Sequence, residues 1–475
     1  MHNKMDIKEV QNSFKTINGQ FFPGQLSSRL YMDTDDIDKK YLVAFHERFH
    51  YLQYIFTPYG HLKWGTHRSV TSEIVQTWSN LTVSFKKQKR VPIYEYMHEG
   101  DLDSIKILTT IYFQDFLQKY ADITDGLVLS EEELEIFGGK KDGLLPRIIV
   151  DGKEYLLNGL DIIESFAKYE EAILGYLFEK RDMNEIINPD ILAPRYYIAL
   201  YFFINELGFE RLYEFPIICE LALAFSHLPR CNDEERLHTC HPGWRFLKIV
   251  AFLKENADLQ PDIFSDESFW SYTEKILKGC EFEVWEELWE PAEKYAKETD
   301  LSMAKEMLDA IAYKKSHPWC LSYPMLNPQI FFDDEFQRFH PLFIIADDRV
   351  FYNVENVSMS ELLFENELQA LALQICGHLS QYNMYPDMLQ CSDNYFGIKS
   401  CKYWLDKSCD GHLCKDTELP ALELDESGNI VNGCMMEIML NIMGTSIKEI
   451  EVGNMKRKCS FKEIENAIKI IKDKK

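Results

Sequence analysis

The sequence predicts a mainly α-helical protein with a small β component, an α+β chain in which helices carry the core. Three observations predict it. Apolar residues recur at helical spacing through most of the chain. Only short stretches read as β structure, the clearest being a hairpin over 147–157. The 475 residues are 46% hydrophobic and 27% charged, a globular balance with room for two or three domains. Composition and pattern divide the chain into residues 1–260, a helical region at 261–345, and a cysteine-rich region at 346–475.

The first element is a candidate strand, Leu26 to Asp33, which could take up an extended peptide through main-chain hydrogen bonds or equally be a purely structural strand. A helix follows, KKYLVAFHERFHYLQYIF. Thr34, Asp35 or Asp36 can cap its start. Tyr41, Leu42, Phe45, Phe49, Leu52 and Phe56 build its apolar face, and Thr57-Pro58-Tyr59-Gly60 ends it. Inside it, His46-Glu47-Arg48-Phe49-His50 reads H-E-x-x-H. Positions i and i+4 share a helix face, so both imidazoles can reach one metal ion. Glu47 then stands beside them, able to take a proton from a metal-bound water. Two histidines alone make a poor zinc site, so a third protein ligand is required.

No histidine follows at the metzincin spacing, because Gln53 and Phe56 stand at the glycine and last histidine positions. A glutamate from a second helix is the remaining common choice. Glu164 lies in GLDIIESFAKYEEAILGYLFEK, which Asn158 or Gly159 can start, with Ile162, Ile163, Phe166, Ala167, Ile173, Leu174 and Leu177 as its apolar positions. Ala167 is small enough to admit a neighbouring helix. Glu73, in HRSVTSEIVQTWSNL, is the alternative and lies nearer to His50 along the chain. Glu164 is preferred because its flanks look more like a buried helix seam.

Between these helices and beyond them, Arg147 to Val150, Asp151-Gly152 and Lys153 to Leu157 form the expected hairpin with a type I′ turn. The apolar stretches 196–204 and 215–225 are too short to span a membrane. A helical middle at about 261–316 carries Trp285 and Trp289, which read as core. In the last region, Cys391, Cys401, Cys409, His412 and Cys414 could enclose a structural zinc, though paired C-x-x-C knuckles are lacking, so ordinary reduced thiols are the alternative.

The chain resembles the gluzincin group of zinc metallopeptidases. More closely, it is similar to bacterial proteins with a helix F-H-E-x-x-H-x-L-Q followed by a T-x-Y-G turn, here Phe45, His46, Glu47, His50, Leu52, Gln53, Thr57, Tyr59 and Gly60. A later E-x-x-A helix is matched by Glu164 and Ala167. The resemblance covers about the first half and implies zincin-like metal-binding helices in a catalytic region. It implies zinc on His46, His50 and Glu164, with Glu47 as general base, in a cytoplasmic metallopeptidase acting on protein or peptide substrates. Tyr196, Tyr197, His241 and Arg245 are candidate donors to the oxyanion of such a reaction, with no spacing rule to select among them.

Two other readings stand beside this one. Glu47-x-x-His50 and Glu235-x-x-His238, with Glu73 and Glu164, match the ligand set of a di-iron carboxylate bundle. Alternatively, the metal is purely structural in a binding or regulatory protein. The formal net charge of −26 argues against a nucleic-acid partner and suits a basic substrate. The short basic runs 86–90 and 472–475 read as solvated ends. The first residues hold no apolar signal core, and no stretch predicts a membrane span, so a cytoplasmic, reducing setting is expected.

Overall fold

The structure is a computed structural model. It describes residues 19–22, 27–30, 37–62, 64–65, 91–92, 146–157, 159–179, 182, 187–190, 192–226, 239–263, 265–298, 302–323, 333–341, 343–346, 349–352, 423–424, 430–432, 440–441 and 450–451. In chain order the elements are β1 (Gly19–Phe22), β2 (Ser27–Leu30), α1 (Ile37–Phe56), β3 (Val91–Pro92), β4 (Arg147–Val150), β5 (Lys153–Leu156) and α2 (Gly159–Glu179). Then come α3 (Ile198–Leu207), α4 (Phe215–Ala222), α5 (Pro242–Glu255), α6 (Asp266–Gly279), α7 (Trp285–Glu298), α8 (Ser302–Ser316) and α9 (Asp334–Gln337). β6 (Phe343–Ala346), β7 (Arg349–Tyr352), β8 (Glu423–Leu424), β9 (Ile430–Asn432) and β10 (Ile450–Glu451) close the series. The fold is mainly helical with little β structure, as the sequence predicts.

α1 is the central helix. Its run from Phe49 to Phe56 is buried on every side. Leu42, Phe45, Phe49, Leu52 and Phe56 are core, but Tyr41 is 56% exposed, because the apolar face runs out of partners near the helix start. The helix ends at Thr57, whose hydroxyl donates to Gln53 O (2.7 Å) and accepts from Gly60 N (3.2 Å). Thr57 thereby caps the next helical turn, with Pro58 at its first position. A Cβ on Gly60 would lie 1.8 Å from Tyr54 O, so the T-P-Y-G turn needs a residue without a side chain there.

α2 crosses α1 along a seam of small and aromatic residues. Phe49 and Phe166 meet edge to face at 4.9 Å, and Ala167 is fully buried. Ile162 and Leu174 are buried too, whereas Leu177 is 44% exposed near the end of α2. The hairpin β4–β5 precedes α2 with Val150 opposite Lys153, and φ of 51° at Asp151 and 76° at Gly152 are those of a type I′ turn.

Of the two readings of the Leu26–Asp33 strand, the structure shows the structural one. β2 lies inside a four-stranded sheet of order β1-β2-β6-β7, antiparallel to β1 and parallel to β6. Both of its hydrogen-bonding edges are used, so β2 cannot add a further strand. β1 is an outer strand of that sheet. The remaining pairs are β3 with β10, parallel, and β8 with β9, antiparallel.

Residues beyond 260 build directly onto α1. Tyr51 donates to Glu306 Oε1 on α8 (2.9 Å), and Phe56 packs against Tyr313, Phe336 and Phe339. Arg48 closes the end of α9 through Phe336 O, Phe339 O and Gln337 Oε1. Trp285 and Trp289 are stacked at 5.4 Å and buried, core residues as expected. One buried apolar cluster therefore runs from Leu42 to Phe339. Among the described residues, no helix is long and apolar enough to cross a membrane.

Removing a large ring from the α1–α2 seam leaves a cavity that a close-packed core fills poorly. Phe166→Ala is expected to lower the unfolding free energy by about 3–5 kcal/mol, measured by chemical denaturation. A loss under about 1 kcal/mol would contradict this packing.

Candidate metal centre

α1 presents His46 and His50 one turn apart, and α2 presents Glu164 to them across the seam. The three reaching atoms form a nearly equilateral triangle. His46 Nε2 and His50 Nε2 are 3.0 Å apart, and Glu164 Oε2 lies 3.2 Å from the first and 3.3 Å from the second. Ligands at zinc's usual distances of about 2.0–2.1 Å, spread at tetrahedral angles, stand about 3.3–3.4 Å from one another. The triangle thus has the size such an ion requires, and three ligands leave one tetrahedral corner for another molecule. It is the group able to hold a metal among the described residues.

Each imidazole is held by a second contact on its far nitrogen. His50 Nδ1 donates to Gln53 Oε1 (2.9 Å), and Gln53 Nε2 donates to Ile163 O (3.0 Å). Nε2 of His50 is the nitrogen that faces the triangle. His46 Nδ1 lies 3.0 Å from Glu171 Oε2, and Lys168 Nζ donates to the other oxygen of Glu171 at 2.6 Å. Such outer contacts fix ring orientation and raise ligand basicity. Glu171, Lys168 and the orienting role of Gln53 were not read from the sequence. The signal was there: Glu171 follows Glu164 by seven positions, two helical turns along the same face, and Gln53 follows His50 by three.

Electrostatics follow from crowding these groups away from water. Burial alone would lower the His46 imidazole, but the Glu164 and Glu171 carboxylates outweigh it and push it up to about 10. Burial would raise Glu164, yet His50 and His46 hold it well below the usual carboxylate range. Glu171 is also held down, by Lys168 and His46 against the effect of burial. Glu47 differs. Burial pushes it up to about 7, against the opposing pull of His50 and His46, and its Oε2 has no hydrogen-bond partner. A carboxyl poised near neutrality suits proton transfer.

Of the four candidate donors, the structure places Tyr196 next to the cluster. Tyr196 ends a 3₁₀ turn, Pro194–Tyr196, that Ser165 Oγ ties to α2 through Arg195 O (2.8 Å). Its ring lies 6.0 Å from that of His46, and Glu164, then burial, push its hydroxyl far up. Tyr196 therefore stays a neutral O–H donor beside the cluster. The other three are engaged elsewhere. Tyr197 packs on Tyr201 at 5.4 Å. His241 caps α5 by accepting from Gly243 N (3.1 Å). Arg245 is buried, donates to Leu221 O and Thr239 O, and lies 3.8 Å over the Phe282 ring.

Glu73, the alternative third ligand, lies outside the described residues, as do Glu235 and His238 of the di-iron reading. The same holds for Cys391, Cys401, Cys409, His412 and Cys414, for the basic runs, and for the caps Thr34, Asp35, Asp36 and Asn158. No family model matches the chain, nor does any curated protein or solved structure.

Without a metal, His46 holds a proton over the neutral range, and a cation must displace it. Zinc affinity should accordingly rise with pH up to about 10, with proton release near pH 7.5 read by calorimetry in buffers of different ionisation enthalpy. For the metal-free protein the sign is opposite. His46 is raised above 6.5, so the stability it adds is complete below that pH and is lost as pH rises toward about 10. A metal affinity independent of pH would contradict the cluster. Glu171→Gln should weaken zinc binding about 10–100-fold while leaving the fold intact, measured by chelator competition.

Proposed function

We propose that this chain is a metal-dependent hydrolase of gluzincin type, with His46, His50 and Glu164 as ligands and Glu47 as general base. The observation that carries the reading is the triangle of His46 Nε2, His50 Nε2 and Glu164 Oε2, whose sides of 3.0–3.3 Å suit a tetrahedral ion. Two imidazoles and one carboxylate are a donor set for zinc. Zinc in such a site supplies a Lewis acid and lowers the pKa of a bound water to about 7.

The residues around the triangle have matching roles. Glu47 takes up a proton and returns it to the leaving group, a task its raised pKa suits. Tyr196 offers its O–H to the oxygen on which negative charge develops. Glu171 and Gln53 hold the two imidazoles, and Lys168 balances Glu171. Peptide bonds are the proposed substrate, and the net charge of −26 favours basic segments in them. Cytoplasmic residence, without a nucleic-acid or membrane partner, completes the proposal.

The second reading, a structural ion in a binding protein, draws on the burial of the site, where His46, Glu47 and His50 are each at most 9% exposed. Glu47→Gln separates the two. The hydrolase reading expects one zinc per chain retained and turnover lowered about 10²–10⁴-fold on peptides found by mass spectrometry of a proteome-derived mixture. Zinc retained, with wild type and Glu47→Gln leaving every peptide intact, would favour the structural reading.

A further inference from the structure

Gly19 begins β1 and is buried against α1, facing the side chain assigned above as general base. Its backbone does not call for glycine. The described glycines with positive φ are Gly152 and Gly208, so Gly19 has a backbone that any residue can adopt. Space is what calls for it. A Cβ at Gly19 would lie 2.6 Å from Glu47 Oε1, 2.8 Å from Glu47 Cγ and 2.9 Å from Val43 Cγ1. Ordinary contacts between such atoms are about 3.5–4.0 Å, so a single methyl would force the Glu47 side chain aside.

Glu47 is also weakly tethered. It is 5% exposed, and its Oε2 has no hydrogen-bond partner. His50 Nδ1, by contrast, is hydrogen-bonded to Gln53 Oε1, and His46 Nδ1 lies 3.0 Å from the charged Glu171 carboxylate. Steric walls must therefore do for Glu47 what these polar contacts do for the ligands. The wall the structure shows is the bare α-carbon of Gly19, with Val43, a turn earlier on α1, lining the same gap.

We propose that Gly19 is the positioning residue for Glu47: the missing side chain on β1 lets the carboxylate lie beside the His46–His50–Glu164 triangle. The proposal rests on the hydrolase reading of that site. The atoms a new methyl would displace first belong to a flexible side chain, so the fold can yield at small cost. What it cannot keep is the place of the carboxylate. A misplacement of about 1 Å in a reacting group costs about 10²-fold in rate.

The test uses the full-length, zinc-loaded chain as wild type, Gly19→Ala, Glu47→Ala and the double variant. Bound zinc, unfolding midpoint, and kcat and KM on a peptide cleaved by wild type are measured. Gly19→Ala should bind zinc as wild type does and lose about 100-fold in kcat with KM nearly unchanged, since a reacting group has moved and substrate contacts have not. Its unfolding midpoint should fall by a few degrees in the wild-type background and by clearly less in the Glu47→Ala background, where only the Val43 contact remains. Wild-type kcat in Gly19→Ala would overturn the proposal. So would an equal loss of midpoint in both backgrounds, which would assign the glycine to Val43 packing. If wild type binds zinc but cleaves no peptide, the hydrolase reading fails. The stability coupling between positions 19 and 47 then still decides whether Gly19 places Glu47.

Discussion

Three carboxylates, from Glu47, Glu164 and Glu171, share a largely buried space with two imidazoles, Glu164 keeping a partly exposed edge. Packing that much negative charge out of solvent costs several kcal/mol per ion unless positive charge enters with it. The chain supplies part of the balance through Lys168 on Glu171 and a proton on His46. A divalent cation can replace that proton at the centre of the triangle. The aromatic seam of α1 and α2 provides the enclosure, and the sheet and α8 hold α1 in place around it.

The division of labour between the helices explains much of the packing. α1 brings both imidazoles, the candidate base and Gln53, so one helix sets their mutual geometry. α2 brings Glu164, the Glu171 contact and the Ser165 tie to Tyr196. Their relative placement is fixed by buried contacts rather than by loops: Phe49 on Phe166, Ala167 at the close approach, and Gln53 on Ile163 O. Arg48 and Tyr51, on either side of His50 in sequence, anchor α1 to α9 and α8. Two helices tied this way hold His46, His50 and Glu164 within 3.0–3.3 Å of one another.

How much of this was legible in the sequence depends on the range of the interaction. The pair His46 and His50 is local, set by helical periodicity, and so are the hairpin turn and the T-P-Y-G stop. Glu164 was legible through its apolar flanks and small Ala167, which marked a buried seam. Periodicity placed Tyr41 and Leu177 on apolar faces but could not show that those faces run past the core near the helix ends. β2 was legible as a strand, yet its interior place depends on pairing with β6, far along the chain. Such pairing leaves no mark in a local pattern. Tyr196 could not be told from Tyr197 by spacing. A 3₁₀ turn directs one toward His46 and the other toward Tyr201. Gly19 carried no sequence signal, because its importance lies in what Glu47 would strike.

The most direct test of the central claim is a crystal structure of the zinc-loaded protein with anomalous data collected on both sides of the zinc edge. One strong peak is expected within about 2.0–2.2 Å of His46 Nε2, His50 Nε2 and a Glu164 oxygen. An anomalous map with no density there, or an ion bound to His46 and His50 without Glu164, would contradict it.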